Sequence, residues 1–140
     1  MVVIPSKVAR SPDDFYKAVA SEKVTVLNQT ASTFNLFIRE DHEQNLRLSL
    51  RYIIFGGEAL NYSNLLPWVD KHGFDAPNLI NMYGITETTV HVTYQPIERH
   101  HLQGKSHTSL IGEPLLDLCV YVLDSAVSYT HLTLPTICSV

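Results

Sequence analysis

The 140-residue sequence is long enough for one modest domain, and its 45% hydrophobic and 17% charged content suits a packed core rather than disorder. A net charge of −4 excludes nucleic acid as the default partner, and no apolar run approaches the roughly 20 residues that a membrane span needs. The apolar start, Met1 to Pro5, lacks the basic region and long core of a signal peptide, and Cys119 and Cys138 are too few and too far apart for a disulfide scaffold or zinc site, which points to a reducing, cytoplasmic compartment.

The first element is a helix that begins at Ser11-Pro12-Asp13-Asp14. Ser11 can cap, Pro12 suits the first helical position, and two acids suit the positive end of the dipole. Phe15, Ala18 and Val19 fall on one face, and the helix runs to about Glu22. Residues 24–27 are apolar and β-branched and predict a buried strand, ended by Asn28-Gln29-Thr30. Residues 32–40 predict a second helix with Phe34, Phe37 and Ile38 as its stripe, and residues 39–45 predict a solvated exit loop. A second strand at 50–55 stops at Gly56-Gly57.

Residues 61–72 predict a third helix, with Trp68 in the core, a kink or late start at Pro67, and Gly73 as C-cap. A third strand follows at 78–82. Residues 90–94 alternate and can form a further strand, 98–109 predict a histidine-rich surface loop, 111–114 a turn and 119–124 another strand that buries Cys119. His100, His101 and His107 lack metal-ligand spacing.

Apolar strands alternating with helices imply an α/β fold with parallel strands and right-handed crossovers, with additional strands near the C-terminus. Ligands in such sheets sit beyond the carboxyl ends of the strands. That rule brings three places together: Asn28, Gly56-Gly57-Glu58 and Tyr83-Gly84. The stretch Asn81-Met82-Tyr83-Gly84-Ile85-Thr86-Glu87-Thr88-Thr89 supplies a ring, a permissive glycine, hydroxyls and one acid. These suit a nucleotide and its metal ion. Taken alone, the same residues equally suit a polar turn that caps a helix.

Further segments agree in order and spacing: residues 24–30, Phe55-Gly56-Gly57-Glu58-Ala59-Leu60, and Ile111-Gly112-Glu113-Pro114 leading to residues 120–124. Together with residues 81–89 they resemble adenylation domains of nonribosomal peptide synthetases, within the adenylate-forming, AMP-binding superfamily. The resemblance covers residues 2–124, read as part of the large N-terminal domain of such an enzyme. Ile85 stands where the peptide-synthetase pattern usually has proline. Residues 125–140 match nothing in that pattern and are expected to be a non-native tail outside the fold.

The resemblance implies a role for each matching residue. Tyr83 would stack on adenine, Asn81 would lie near its amino group, and the backbone of Gly57, Glu58 and Ala59 would line the ring, with Gly84 permitting the turn. Thr86 would bond the α-phosphate and Glu87 would hold Mg²⁺; these two are the catalytic candidates. Asn28, Ile54, Gly56, Met82, Val90 and His91 match the substrate-pocket positions and, as a set, resemble threonine-activating domains. Ile54, Met82 and Val90 would form a wall for a methyl group, and Asn28 or His91 would bond a β-hydroxyl. Ordinary polar strand ends are the alternative for Asn28 and His91.

The implied reaction uses ATP and Mg²⁺ to form aminoacyl-AMP from L-threonine. The acyl group then passes to phosphopantetheine on a carrier domain, beside condensation domains of the same synthetase. The phosphate loop, the amine-anchoring aspartate, the ribose-binding aspartate and the catalytic lysine are expected outside this sequence, so the chain alone is expected to be inactive. An acyl- or aryl-acid CoA ligase and a non-catalytic nucleotide-binding fragment are the competing readings.

Overall fold

A computed structural model of the protein describes residues 1–74, 76–88, 90–103 and 109–121. Five strands form one sheet in the order β1 (Val26–Gln29), β2 (Tyr52–Phe55), β3 (Asn78–Tyr83), β4 (Thr93–Pro96) and β5 (Glu113–Pro114). The first three pair in parallel, as the alternation predicts. β4 and β5 then add antiparallel pairs. β3 is therefore the strand where the sheet changes sense.

The helices are α1 (Ser6–Ala9), α2 (Pro12–Ser21), α3 (Ala31–Gln44), α4 (Leu66–His72) and α5 (Arg99–Gln103). α2 starts as its sequence requires: Ser11 Oγ accepts from the Asp14 N–H at 3.3 Å, and Asp13 and Asp14 occupy the first turn. Its buried residues are Tyr16 and Val19, while Phe15 and Ala18 are only half-buried. Tyr16 goes inward because its hydroxyl has a buried partner, Asp41, at 2.9 Å.

Several expected boundaries move, each for a physical reason. β1 begins two residues later than residue 24. Lys23 takes a left-handed turn (φ 51°) and the Val24 N–H bonds back to Val19, so cross-strand bonding starts only at the Thr25 carbonyl, which accepts from the Arg51 and Tyr52 N–H groups. α3 continues through the supposed exit loop to Gln44 and ends at Asn45, also left-handed with φ 51°. Its polar last turn is stable because its side chains find partners: Asp41 is buried, and the Gln44 amide donates to Asp13 and Glu40.

The third helix splits into a 3₁₀ turn, Tyr62–Leu65, and α4, with Pro67 in the first turn of α4 and Gly73 (φ 78°) after it. α5 occupies part of the expected 98–109 loop, and Glu113–Pro114 is a short strand within the expected turn. Residues 119–121 are not a strand and Cys119 is exposed, which corrects its expected burial: without a strand there, its side chain is not carried into the sheet. Residues 122–124 of that expected strand, the 125–140 tail and His107 lie outside the described residues.

The core fills one side of the sheet. Leu27, Ile53 and Leu79 are register partners across β1, β2 and β3, and all three are buried. Phe55 meets Phe34 of α3 edge-on at 5.0 Å, and Trp68 of α4 packs on Phe34 at 5.1 Å. α3 and α4 therefore cover the same sheet face. Burying each such aromatic side chain contributes about 1.5–3 kcal/mol.

Under α3, Asp41 joins three helices. Its carboxylate accepts from Tyr16 of α2 and, at 2.8 Å each, from Lys71 Nζ and His72 Nε2 of α4. Trp68 stacks on His72 at 4.1 Å, closing the cluster.

Candidate active site

The strand ends place the candidate residues. Side chains alternate along a strand, so β3 presents two sets. Asn81 pairs in register with Phe55, which faces α3. Asn81 and Tyr83 therefore lie on the helix-covered side. Ile80 and Met82 lie on the other side, with Ile54 and Asn28 in the same row as Ile80. The nucleotide candidates and the pocket candidates thus separate by face.

The pocket set is drawn together further by a glycine contact. The Gly56 N–H bonds the Gln29 carbonyl at 3.3 Å, so the alternation runs on past β2. A Cβ at Gly56 would lie 2.5 Å from His91 Nε2. The imidazole thus occupies the space a side chain would need. At Gly84, a Cβ would collide with the Val90 carbonyl, so Gly84 and Val90 touch through backbone. Asn28, Ile54, Gly56, Met82 and His91 gather on the face away from α3, while Val90 is 61% exposed at the rim.

Gly56→Ala is expected to push the His91 ring aside. The obstructing atom is the far end of a movable side chain, so the cost is at the low end of overpacking, about 1 kcal/mol. The readout is a shift of the His91 imidazole resonances by NMR with little change in melting temperature.

Tyr83 is 43% exposed, and an aromatic ring at the surface suits a planar ligand. Beyond Gly84 the chain makes a single 3₁₀ turn, Thr86–Thr88, rather than opening a longer helix. Thr88 closes that turn: its Oγ1 accepts from the Ile85 N–H at 3.0 Å and donates to the Ile85 carbonyl at 2.9 Å. Thr86 and Glu87 are exposed, and their side chains bond no other described residue. Capping chemistry is thus served by Thr88, and the Thr86 hydroxyl and Glu87 carboxylate are not consumed by it.

Among the described residues no three His, Cys, Asp or Glu side chains gather as a metal cage. The single Glu87 carboxylate fits a cation such as Mg²⁺, which binds through one or two carboxylates and ligand oxygens and keeps several waters. It does not fit a dedicated zinc site.

The Gly57, Glu58 and Ala59 segment forms a backbone ledge. Gly57 has φ 84°, a conformation that favours glycine. Glu58 turns its side chain back to the start of α3, where its carboxylate accepts from the Ser32 N–H at 3.0 Å and the Ser32 hydroxyl at 2.6 Å. These bonds from Ser32 hold its pKa below the ordinary glutamate value. At the far end of the ledge the Leu60 N–H donates to Ser109 Oγ at 3.1 Å.

Asn81, only 3% exposed, donates through Nδ2 to Ser109 Oγ at 3.2 Å and to the Leu110 carbonyl at 2.7 Å. Ser32 and Ser109 were not among the candidates. Their partners lie 26 to 49 residues away, so no local pattern marks them.

A cavity of about 520 Å³ opens along the N-terminal segment, α2 and β1, and of the candidates only Asn28 lines it. The other candidates lie at and beyond the carboxyl ends of the strands instead. No described helix is long and apolar enough to cross a membrane.

Comparison with known proteins bears on the family. A family description, AMP-binding enzyme, matches residues 1–131. The dimodular nonribosomal peptide synthase of Bacillus subtilis (strain 168) is 50% identical over 127 residues, which is 89% of this chain and 5% of that protein. Syringomycin synthase SyrB1 of Pseudomonas syringae pv. syringae is 42% identical over 125 residues, 89% of this chain and 20% of its own length. The chain thus spans a small part of these relatives.

A solved nonribosomal peptide synthetase protein containing adenylation and PCP domains shares the fold. Its TM-score is 0.68 at 21% identity, over 86% of this chain and 23% of that one. A mixed sheet whose Tyr83-Gly84 corner ends the last parallel strand, matched over residues 1–131, leaves one assignment: the chain belongs to the AMP-binding enzyme family.

Proposed function

We propose that this chain is the nucleotide and side-chain corner of an adenylation domain in a nonribosomal peptide synthetase, that the domain activates L-threonine, and that it loads the product on a carrier domain. The observation that carries the reading is the division of β3: Asn81 and Tyr83 on one face, Met82 with Ile54 and Asn28 on the other. One strand end can then hold a nucleotide and an amino-acid side chain at the same time.

In the reaction, the substrate carboxylate attacks the α-phosphate of ATP and pyrophosphate leaves. Tyr83 offers its exposed ring to the base, and the 57–59 ledge lines the base's edge. The Thr86 hydroxyl donates to the α-phosphate. Glu87 would hold Mg²⁺, which when bound would neutralise charge on phosphate oxygens. Ile54 and Met82 give an apolar wall for the methyl group of threonine. Asn28 or His91 bonds its hydroxyl, and a site built to pair a hydroxyl strongly rejects analogues that lack it. Catalysis here is positioning plus electrostatics. The acyl group then passes to the phosphopantetheine thiol of the carrier. The chain alone is read as inactive, because the groups that anchor the amine, the ribose and the leaving phosphates are expected on other segments.

ATP–pyrophosphate exchange by the full-length protein tests this. Threonine-dependent exchange is expected, with Glu87→Gln lowering it about 100-fold. Exchange with a fatty or aryl acid and none with threonine would remove the substrate assignment in favour of an acyl- or aryl-acid ligase.

A further inference from the structure

We propose that Ser109 is a positioning residue for recognition of the nucleotide base, an inference that rests on the adenylation reading above. A single hydroxyl oxygen accepts from two donors: the Leu60 N–H at 3.1 Å and Asn81 Nδ2 at 3.2 Å. That uses both acceptor sites of a serine hydroxyl. It ties the rear of the 57–59 ledge to the side chain of β3 nearest the base.

The consequence for Asn81 is orientational. The Leu110 carbonyl, 2.7 Å away, can only accept, so the amide must turn its NH₂ toward residues 109–110. With both N–H bonds committed there, Oδ1 is directed elsewhere as an acceptor. An acceptor at that position suits the 6-amino group of adenine and disfavours a 6-oxo purine.

Tyr62 keeps this bracket in place. Its hydroxyl accepts from the Leu110 N–H at 3.2 Å and donates to the Leu110 carbonyl at 3.4 Å. Ser109 touches no ligand itself. It acts by holding the second Asn81 N–H, which steadies the amide that the Leu110 carbonyl orients, and by setting how far the ledge stands from it.

The test compares pyrophosphate exchange supported by ATP and by inosine triphosphate in the full-length protein. Ser109→Ala is expected to reduce the ATP preference about tenfold, the loss of one oriented hydrogen bond. The change should appear mainly in KM for ATP. Ser109→Cys keeps the volume, but its thiol is a weak acceptor, so it should show the same fall even if the alanine variant fails to fold. Ser109→Thr keeps the hydroxyl and should retain the wild-type preference.

A preference within about twofold of wild type in the alanine and cysteine variants overturns the inference, as does an equal fall in the threonine variant. A wild-type protein that shows no exchange with any acid overturns the adenylation reading and this inference with it. An active wild type with unchanged variants overturns this inference alone.

Discussion

Replacing Asp41 by alanine lowers the unfolding free energy by about 3–5 kcal/mol, the cost of breaking a buried, hydrogen-bonded ion pair from one side. The carboxylate is 1% exposed and holds Tyr16, Lys71 and His72 together. Its removal takes a partner from three polar groups: Tyr16 keeps Leu46 and Lys71 keeps the residue-41 carbonyl, but His72 Nε2 loses its carboxylate and the side-chain link between α2 and α4 is lost. Urea titration of the variant against wild type reads the loss directly, and an effect below about 1 kcal/mol would place the cluster with weak surface pairs.

The same group sets an acid limit. Burial alone would raise the Asp41 pKa, but hydrogen bonds from Lys71, His72 and Tyr16 outweigh it, and the net direction is downward. A lowered folded pKa means that the unfolded chain binds the proton first. The stabilisation is therefore complete above the ordinary aspartate value of about 3.9 and drains away as pH falls from there through the folded value. Asp41→Ala should flatten that acid limb of the stability curve.

The second large effect is at Gly84. A Cβ there would overlap the Val90 carbonyl, with His91 Cα also 2.7 Å away. All the obstructing atoms are backbone, so no rotamer relieves the clash, unlike at Gly56. Gly84→Ala must lever the Thr86–Thr88 turn outward and carry Thr86 and Glu87 with it. A displacement of about 1 Å at such a site costs about 100-fold in rate. Pyrophosphate exchange should fall by that factor while the melting temperature changes little, because residues 85–88 are exposed. Retention of wild-type exchange would mean that the loop adapts elsewhere.

The parallel part of the sheet was legible because each strand is a short apolar run stopped by polar or glycine residues, as at Phe55-Gly56-Gly57. The Tyr83-Gly84 corner was legible because its residues are adjacent. Elements whose stability comes from distant partners were not. Residues 41–44 look like solvent-exposed chain until Tyr16, Lys71 and His72 are known to lie beside Asp41. Residues 24 and 25 look like strand by propensity, and the left-handed Lys23 overrides it. In the site, the split of candidates between two faces follows from strand parity. The ties from Ser32 to Glu58 and from Ser109 to Asn81 cross 26 and 28 residues and follow from tertiary structure alone.

The parity of β3 bears on how such a protein can change over time. Odd-numbered residues on that strand look toward the helices, and even-numbered ones look away. A substitution at 80 or 82 reshapes one surface and leaves 81 and 83 where they were. Insertion or deletion of one residue would instead exchange the two surfaces at a stroke. New side-chain preferences can therefore be sampled one point mutation at a time on a strand whose other surface is inherited unchanged, whereas changes in its length are closed to selection.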